Sequence, residues 1–167
     1  MIVFDSFTLI LLAKVELLVR VVEETEVIIT DIVEKECTRK QELLDAMLIK
    51  KLIEERKVKV EHYHIGKECK KIEKGFNMGT GEVSSLLLAR KKGWILATDD
   101  KQALKVCKVL RISFLTAVHF LVRIYENGII SHELVLAKVK TLERVGRYNP
   151  DIIKNVLKKI RKKEELK

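Results

Sequence analysis

The sequence predicts an α/β domain built on a parallel sheet with helices on both faces, and three observations carry that prediction. Short apolar runs, Ile2-Val3-Phe4, Val27-Ile28-Ile29 and the unbroken run at 94–97, read as strands covered on both faces, and 112–115 reads as a fifth short strand. Lys57-Val58-Lys59-Val60-Glu61 alternates polar and apolar, so one of its faces is wet and it belongs at a sheet edge. Segments with apolar residues at helical spacing separate these runs, the alternation expected of parallel βαβ units.

In chain order, the first strand ends in Asp5-Ser6, and Leu11, Val15, Leu18 and Val22 then follow helical spacing. After the second strand, Thr30 and Asp31 start a helix, with Asp31 and Glu34 making a capping-box-like pattern and Glu36 on the same helix. Residues 39–56 read as an amphipathic helix whose apolar face holds Leu43, Leu44, Met47 and Leu48. His62 and His64 share a face if the edge strand continues, a spacing that suits a metal but is commoner for exposed edge histidines. Residues 66–78 form a polar, Lys-rich approach. Gly79-Thr80-Gly81 then makes a sharp entry into a helix that Thr80 can cap, Val83, Leu86 and Leu87 form its inner face, and Gly93 stops it.

Asp99 and Asp100 follow the strand at 94–97 at its carboxyl end, where ligands bind in open α/β sheets. Ala103, Val106, Cys107 and Leu110 define the next helix, and Val118, Leu121, Val122 and Tyr125 another that Asn127-Gly128 ends. Ser131 caps a helix stopped by Gly146, and Asn149-Pro150-Asp151 starts the last one. Its outer side carries Lys154, Lys158, Lys159, Arg161, Lys162 and Lys163. The whole reads as a single domain over 1–167, a core of about 1–125 followed by a helical extension of about 126–167.

Composition narrows the class. Apolar residues at 47% and a single Pro argue against long disordered regions. The net charge of +9 favours a polyanionic partner such as nucleic acid. Cys37, Cys69 and Cys107 are odd in number and widely spaced, which disfavours a zinc site and suggests a reducing cytoplasm. No export signal is expected, and the apolar run at 9–13 is too short for a membrane span of about 20 residues.

Acids recur at comparable places: Asp5 after the first strand, Glu36 after the second, Glu82 in the first turn of the central helix, and Asp99-Asp100 after the fourth strand. Carboxylates sharing one crevice repel, and a hard divalent cation with oxygen ligands is the usual solution. The competing reading makes Asp99 a helix cap and Asp100 a first-turn acid.

Ile-Val-Phe-Asp-Ser at 2–6, Val-Glu-Lys-Glu at 33–36, Gly-Thr-Gly-Glu at 79–82 and Thr-Asp-Asp at 98–100, in that order, resemble the PIN domain, a nuclease fold. The Gly-x-Gly-Glu and Asp-Asp forms look most like a prokaryotic subgroup related to VapC toxins. The resemblance implies a three-layer αβα fold with strand order 3-2-1-4-5 and Mg²⁺- or Mn²⁺-dependent cleavage of single-stranded RNA. Carried over, Asp5, Glu36, Glu82 and Asp100 match the catalytic acids, with Asp5, Glu82, Asp99 and Asp100 as metal ligands and Ser6 and Thr98 in support. Phe7 departs from the small or polar residue often found there. For a toxin, an antitoxin peptide covering the crevice is implied, and a homodimer is expected.

Phosphodiester hydrolysis needs an activated water and neutralised phosphate charge, which carboxylate-held cations supply. No Ser-His-Asp or Cys-His arrangement is evident, so no covalent intermediate is expected. A dinucleotide loop at Gly79-Thr80-Gly81 lacks its third Gly and a preceding strand. A phosphotransferase with Asp5 as acceptor would want a second Asp where Phe7 stands. Two readings stay beside the toxin: a PIN-like RNA- or protein-binding module with little or no nuclease activity, and an RNA-processing nuclease without an antitoxin.

Overall fold

The computed structural model describes residues 1–165. Its elements are, in order, β1 (Ile2–Phe4), α1 (Ser6–Lys14), α2 (Leu18–Glu24), β2 (Val27–Thr30), α3 (Asp31–Thr38), α4 (Leu44–Glu54), β3 (Val58–Glu61), α5 (Lys67–Phe76), α6 (Thr80–Lys92), β4 (Ile95–Ala97), α7 (Lys101–Leu110), β5 (Phe114–Leu115), α8 (Ala117–Glu126), α9 (His132–Gly146) and α10 (Pro150–Glu164). All strand pairings are parallel, in the order β3-β2-β1-β4-β5, so β1 is central and β3 lies at an edge, as the alternation of 57–61 predicts.

The period-2 geometry of strands divides the core between two faces. Ile2, Phe4, Val27 and Ile29 point to the face packed by α1, α4, α8, α9 and α10. Val3, Ile28 and Leu96 point to the face packed by α5, α6 and α7. The C-terminal helices therefore share the core: Val139, Leu142, Ile153 and Ile160 are buried in the same cluster as Phe4 and Leu9. All three cysteines are free and buried. No helix among the described residues is long and apolar enough to cross a membrane.

Several expected elements differ. The helix expected over 39–56 begins only at Leu44, and its buried face holds Ala46, Ile49 and Leu52, while Leu43, Leu44 and Met47 face solvent. Residues 66–78 contain α5, whose Cys69 and Ile72 reach the core from a Lys-rich helix. The single helical stripe from Leu11 to Val22 is broken into α1 and α2 by Glu16, whose φ of 56° lies in the left-handed region. The N-cap of α6 is Gly79 rather than Thr80, and α3 is capped by the Thr30 hydroxyl, which accepts from Val33 N at 3.2 Å. His62 pairs with Asp31 at 2.7 Å and is largely exposed, so it takes the edge-strand role.

Candidate functional site

The acids meet where the strand order reverses. β1 connects onward to β2 on one side and pairs with β4 on the other, so the carboxyl ends of β1 and β4 flank a switch point. Asp5 follows β1 directly, and its N–H donates to Ala97 O of β4 at 3.1 Å. One Asp5 oxygen, Oδ1, accepts from Thr8 N at 2.8 Å and caps α1. The other, Oδ2, is buried without a hydrogen-bond partner among the described residues. A fully buried carboxylate oxygen without a donor is costly, and burial pushes the Asp5 carboxyl up to about 7. The hydroxyls of Thr98 and Thr8 and the Thr8 N–H pull the other way, and the Asp99 charge adds to the rise. The Thr98 hydroxyl is itself held as acceptor by Asp100 N at 3.2 Å.

Asp100 repeats the Asp5 arrangement one strand away. It caps α7, with Oδ1 accepting from Gln102 N at 2.8 Å and Ala103 N at 2.7 Å. The cap therefore belongs to Asp100, and the alternative placing Asp99 there is set aside. In both residues one oxygen satisfies a helix N-terminus.

Asp99 has a different place. Its Oδ2 accepts from Thr8 Oγ1 at 3.0 Å and Ala117 N at 2.9 Å, and its Oδ1 accepts from the Tyr148 hydroxyl. Both oxygens are thus engaged, tying α1, the start of α8 and the α9–α10 connection to the end of β4. Burial raises the Asp99 pKa, while these donors and His119 lower it. The ring of Tyr148 lies so close to Gly146 that a Cβ there would stand 2.6 Å from it.

Glu36 and Glu82 complete the cluster from the helical side. Glu82 Oε2 accepts from Gly79 N at 2.7 Å, the back-reaching half of a capping box whose other half a glycine cannot supply. Burial raises the Glu82 pKa, Gly79 lowers it, and the charges of Asp100 and Glu36 raise it further. Glu36 reaches from α3 to Gly81 N at 3.1 Å. A Cβ on residue 81 would stand 2.1 Å from Glu36 Oε2, so the glycine makes the cradle for that carboxylate. Gly costs about 1 kcal/mol in a helix relative to Ala, and that misfit inside α6 was the available sequence signal for this contact. Thr8 and Tyr148 carried no such signal, because their partner lies 91 and 49 residues away.

The expected residues thus gather at one end of the sheet, Ser6 opening α1 beside Asp5 and accepting from Cys37 Sγ at 3.8 Å through its carbonyl. Among the described residues, no three His, Cys, Asp or Glu side chains are placed to hold an ion as they stand. The donor chemistry nevertheless fits a hard divalent cation: carboxylate oxygens only, one of them buried without a partner. Asp5, Glu82 and Asp100 each keep one oxygen outside the capping bonds described.

A parallel 3-2-1-4-5 sheet between helices, with acids at the strand ends beside its switch point, defines a protein of the PIN-like class. The chain belongs to the PIN-domain family: the family model described as "DUF3368: PIN domain" matches residues 1–162, taking in α9 and most of α10. PIN domains are generally nucleases and typically use divalent metals. The chain is also similar to the solved structure of a PilT N-terminus domain protein from the hyperthermophilic archaeon Sulfolobus solfataricus, at 14% identity and a TM-score of 0.49, over 71% of this chain and 88% of that one. No curated protein matches it.

Proposed function

We propose that this protein is a Mg²⁺- or Mn²⁺-dependent endoribonuclease acting on single-stranded RNA, and the toxin of a toxin–antitoxin pair. The observation that carries the reading is Asp5: a fully buried carboxyl at the end of the central strand, with one oxygen unpartnered among the described residues and acids on neighbouring elements.

Asp5, Glu82 and Asp100 would hold the ion, with Glu36 beside them. Asp99 is committed to Thr8, Ala117 and Tyr148 and acts by fixing the end of β4. A bound cation supplies a water of lowered pKa and neutralises charge on the phosphate. The chain's own part is to keep Asp5 dry and aimed by the Thr8 N–H, and to hold Glu36 over Gly81. Asp5 must give up a proton on binding an ion below about pH 7.

Among the described residues no three of these side chains are placed to hold an ion as they stand, and this favours a second reading, an RNA- or protein-binding module of the same fold. Apolar side chains exposed on neighbouring helices, Phe7 of α1 and Leu44 and Met47 of α4, support a protein partner, either an antitoxin peptide or a second copy. Incubation with a pool of single-stranded RNAs in ¹⁸O-labelled water separates the readings. Cleavage with Mn²⁺, stopped by EDTA, with label at the new phosphate ends, is the result expected of the nuclease. Intact RNA across the pool moves the assignment to the binding module.

A further inference from the structure

A cavity of about 580 Å³ lies where α7, β5 and α8 meet the α9–α10 connection and α10. Its volume falls within the ~300–1,000 Å³ usual for ligand sites. Its walls combine aromatic and aliphatic surface, from Phe114, Tyr148, Val122 and Val156, with the cations Lys101, Arg123, Arg147 and Lys159. Among the described residues, none of these cations is in an ion pair. The acids on its lining are Glu126 and Asp99, and Asp99 is already engaged by Tyr148, Thr8 and Ala117. His119 offers a neutral donor: its Nδ1 accepts from Thr116 N at 3.1 Å, which places the ring hydrogen on Nε2.

Flat apolar walls rimmed by unpaired cations fit a planar base carrying phosphate. The cations are spread over α7, α8, the α9–α10 connection and α10, which suits several phosphates along a strand better than the single phosphate of a free nucleotide. The cavity also shares Asp99 with the acidic centre, so one strand can occupy both.

We propose that this cavity is a nucleotide subsite, which takes one base of the RNA strand against Phe114 and Tyr148 while Lys101, Arg123, Arg147 and Lys159 hold the neighbouring phosphates. The proposal rests on the ribonuclease reading for its occupant and extends it: the C-terminal helices form one wall of the substrate path.

The test is binding of the full chain to a labelled mixed-sequence RNA of about 12 nucleotides in EDTA, so that affinity is read without cleavage. Two changes are used, Arg147→Ala with Lys159→Ala, and Asn155→Trp, which fills the mouth from an exposed position of α10. With native melting temperatures, the double change is expected to weaken binding at least tenfold and to flatten the log–log salt slope by about 1.4, for two phosphate contacts on a single strand. Asn155→Trp is expected to cost on the order of tenfold, the worth of a stacked base, with the slope unchanged. Unchanged affinity in both variants overturns the proposal. So does an equal loss from Lys154→Ala with Lys158→Ala, which lie on the same helix outside the cavity.

Two competitors identify other occupants. Saturable binding of adenosine or uridine 5′-monophosphate that the changes abolish, with RNA binding intact, assigns the cavity to a free nucleotide and overturns the strand subsite. Poly-glutamate displacing the RNA as well as unlabelled RNA does likewise overturns a base site. Cavity-dependent RNA binding without cleavage by the wild type in Mn²⁺ upholds the subsite and sinks the nuclease. Cleavage that both changes leave untouched does the reverse.

Discussion

Replacing Asp5 with Asn tests the buried charge that the site is built around. The wild-type carboxyl is raised from 3.8 to about 7, chiefly by burial. That rise corresponds to ~4 kcal/mol between the protonated and ionised folds. Because the folded pKa is the higher one, this contribution is fully present below pH 3.8, declines as pH rises toward 7, and is absent above. Asn keeps the cap, since its oxygen can still accept from Thr8 N, and removes the charge. Its amide nitrogen then stands where Oδ2 has no partner, at a cost of about 1–3 kcal/mol. The net expectation at pH 8 without metal is a gain of roughly 1–3 kcal/mol, which at ~2–4 °C per kcal/mol raises the melting temperature by about 5 °C. At pH 4 the gain vanishes or reverses. Thermal melts of both proteins in EDTA from pH 4 to 8 give the comparison, because the other acids titrate in each. An Asn variant less stable than the wild type at pH 8, or a difference that does not change between pH 4 and 7, would refute the buried-charge argument.

The other expectations follow from contacts around the site. Gly81→Ala should improve helix propensity by about 1 kcal/mol yet push Glu36 out of its cradle; we expect a melting temperature within a few degrees of wild type and at least tenfold slower cleavage in a Mn²⁺ assay. Tyr148→Phe removes a donor to a buried carboxylate and should cost ~1.5–3 kcal/mol by urea unfolding, more at pH 8 than at pH 4.5, because that bond favours the ionised Asp99. Mn²⁺ at about 100 times its dissociation constant should add ~2.7 kcal/mol to wild-type stability. Calorimetric titration should find its affinity falling below about pH 7, where Asp5 holds a proton, and Asp5→Asn should lose most of both effects.

The sheet was legible because burial on both faces leaves an unbroken apolar run, and a wet edge leaves alternation: Val27-Ile28-Ile29 against 57–61. The face of α4 was misread because Leu44 and Met47 outweigh Ala46 in any hydropathy pattern, yet the small Ala46 is buried, on the face of Ile49 and Leu52. α5 was hidden by its lysines, since only Cys69 and Ile72 report its inner side. At the site, Asp5 and Asp100 were readable as acids at strand ends, because strand, turn and cap are contiguous. The part played by Asp99 was not, since Thr8, Ala117 and Tyr148 meet it only in the folded chain. The basic cavity is assembled from positions 101, 123, 147 and 159; in the sequence Lys159 reads as one of the outer cations of the last helix, and the other three register only in the net charge of +9. Of the basic tail, residues 166 and 167 lie outside the described residues.

The most direct test of the metal-dependent nuclease is single-turnover cleavage of one susceptible single-stranded RNA, measured across a Mn²⁺ titration for wild type and Asp5→Asn. The account predicts cleavage that rises with Mn²⁺ and vanishes in EDTA for the wild type, and a loss of at least a hundredfold in a variant that melts at the same or a higher temperature. Equal cleavage by the two proteins, or wild-type cleavage that persists in EDTA, would contradict it.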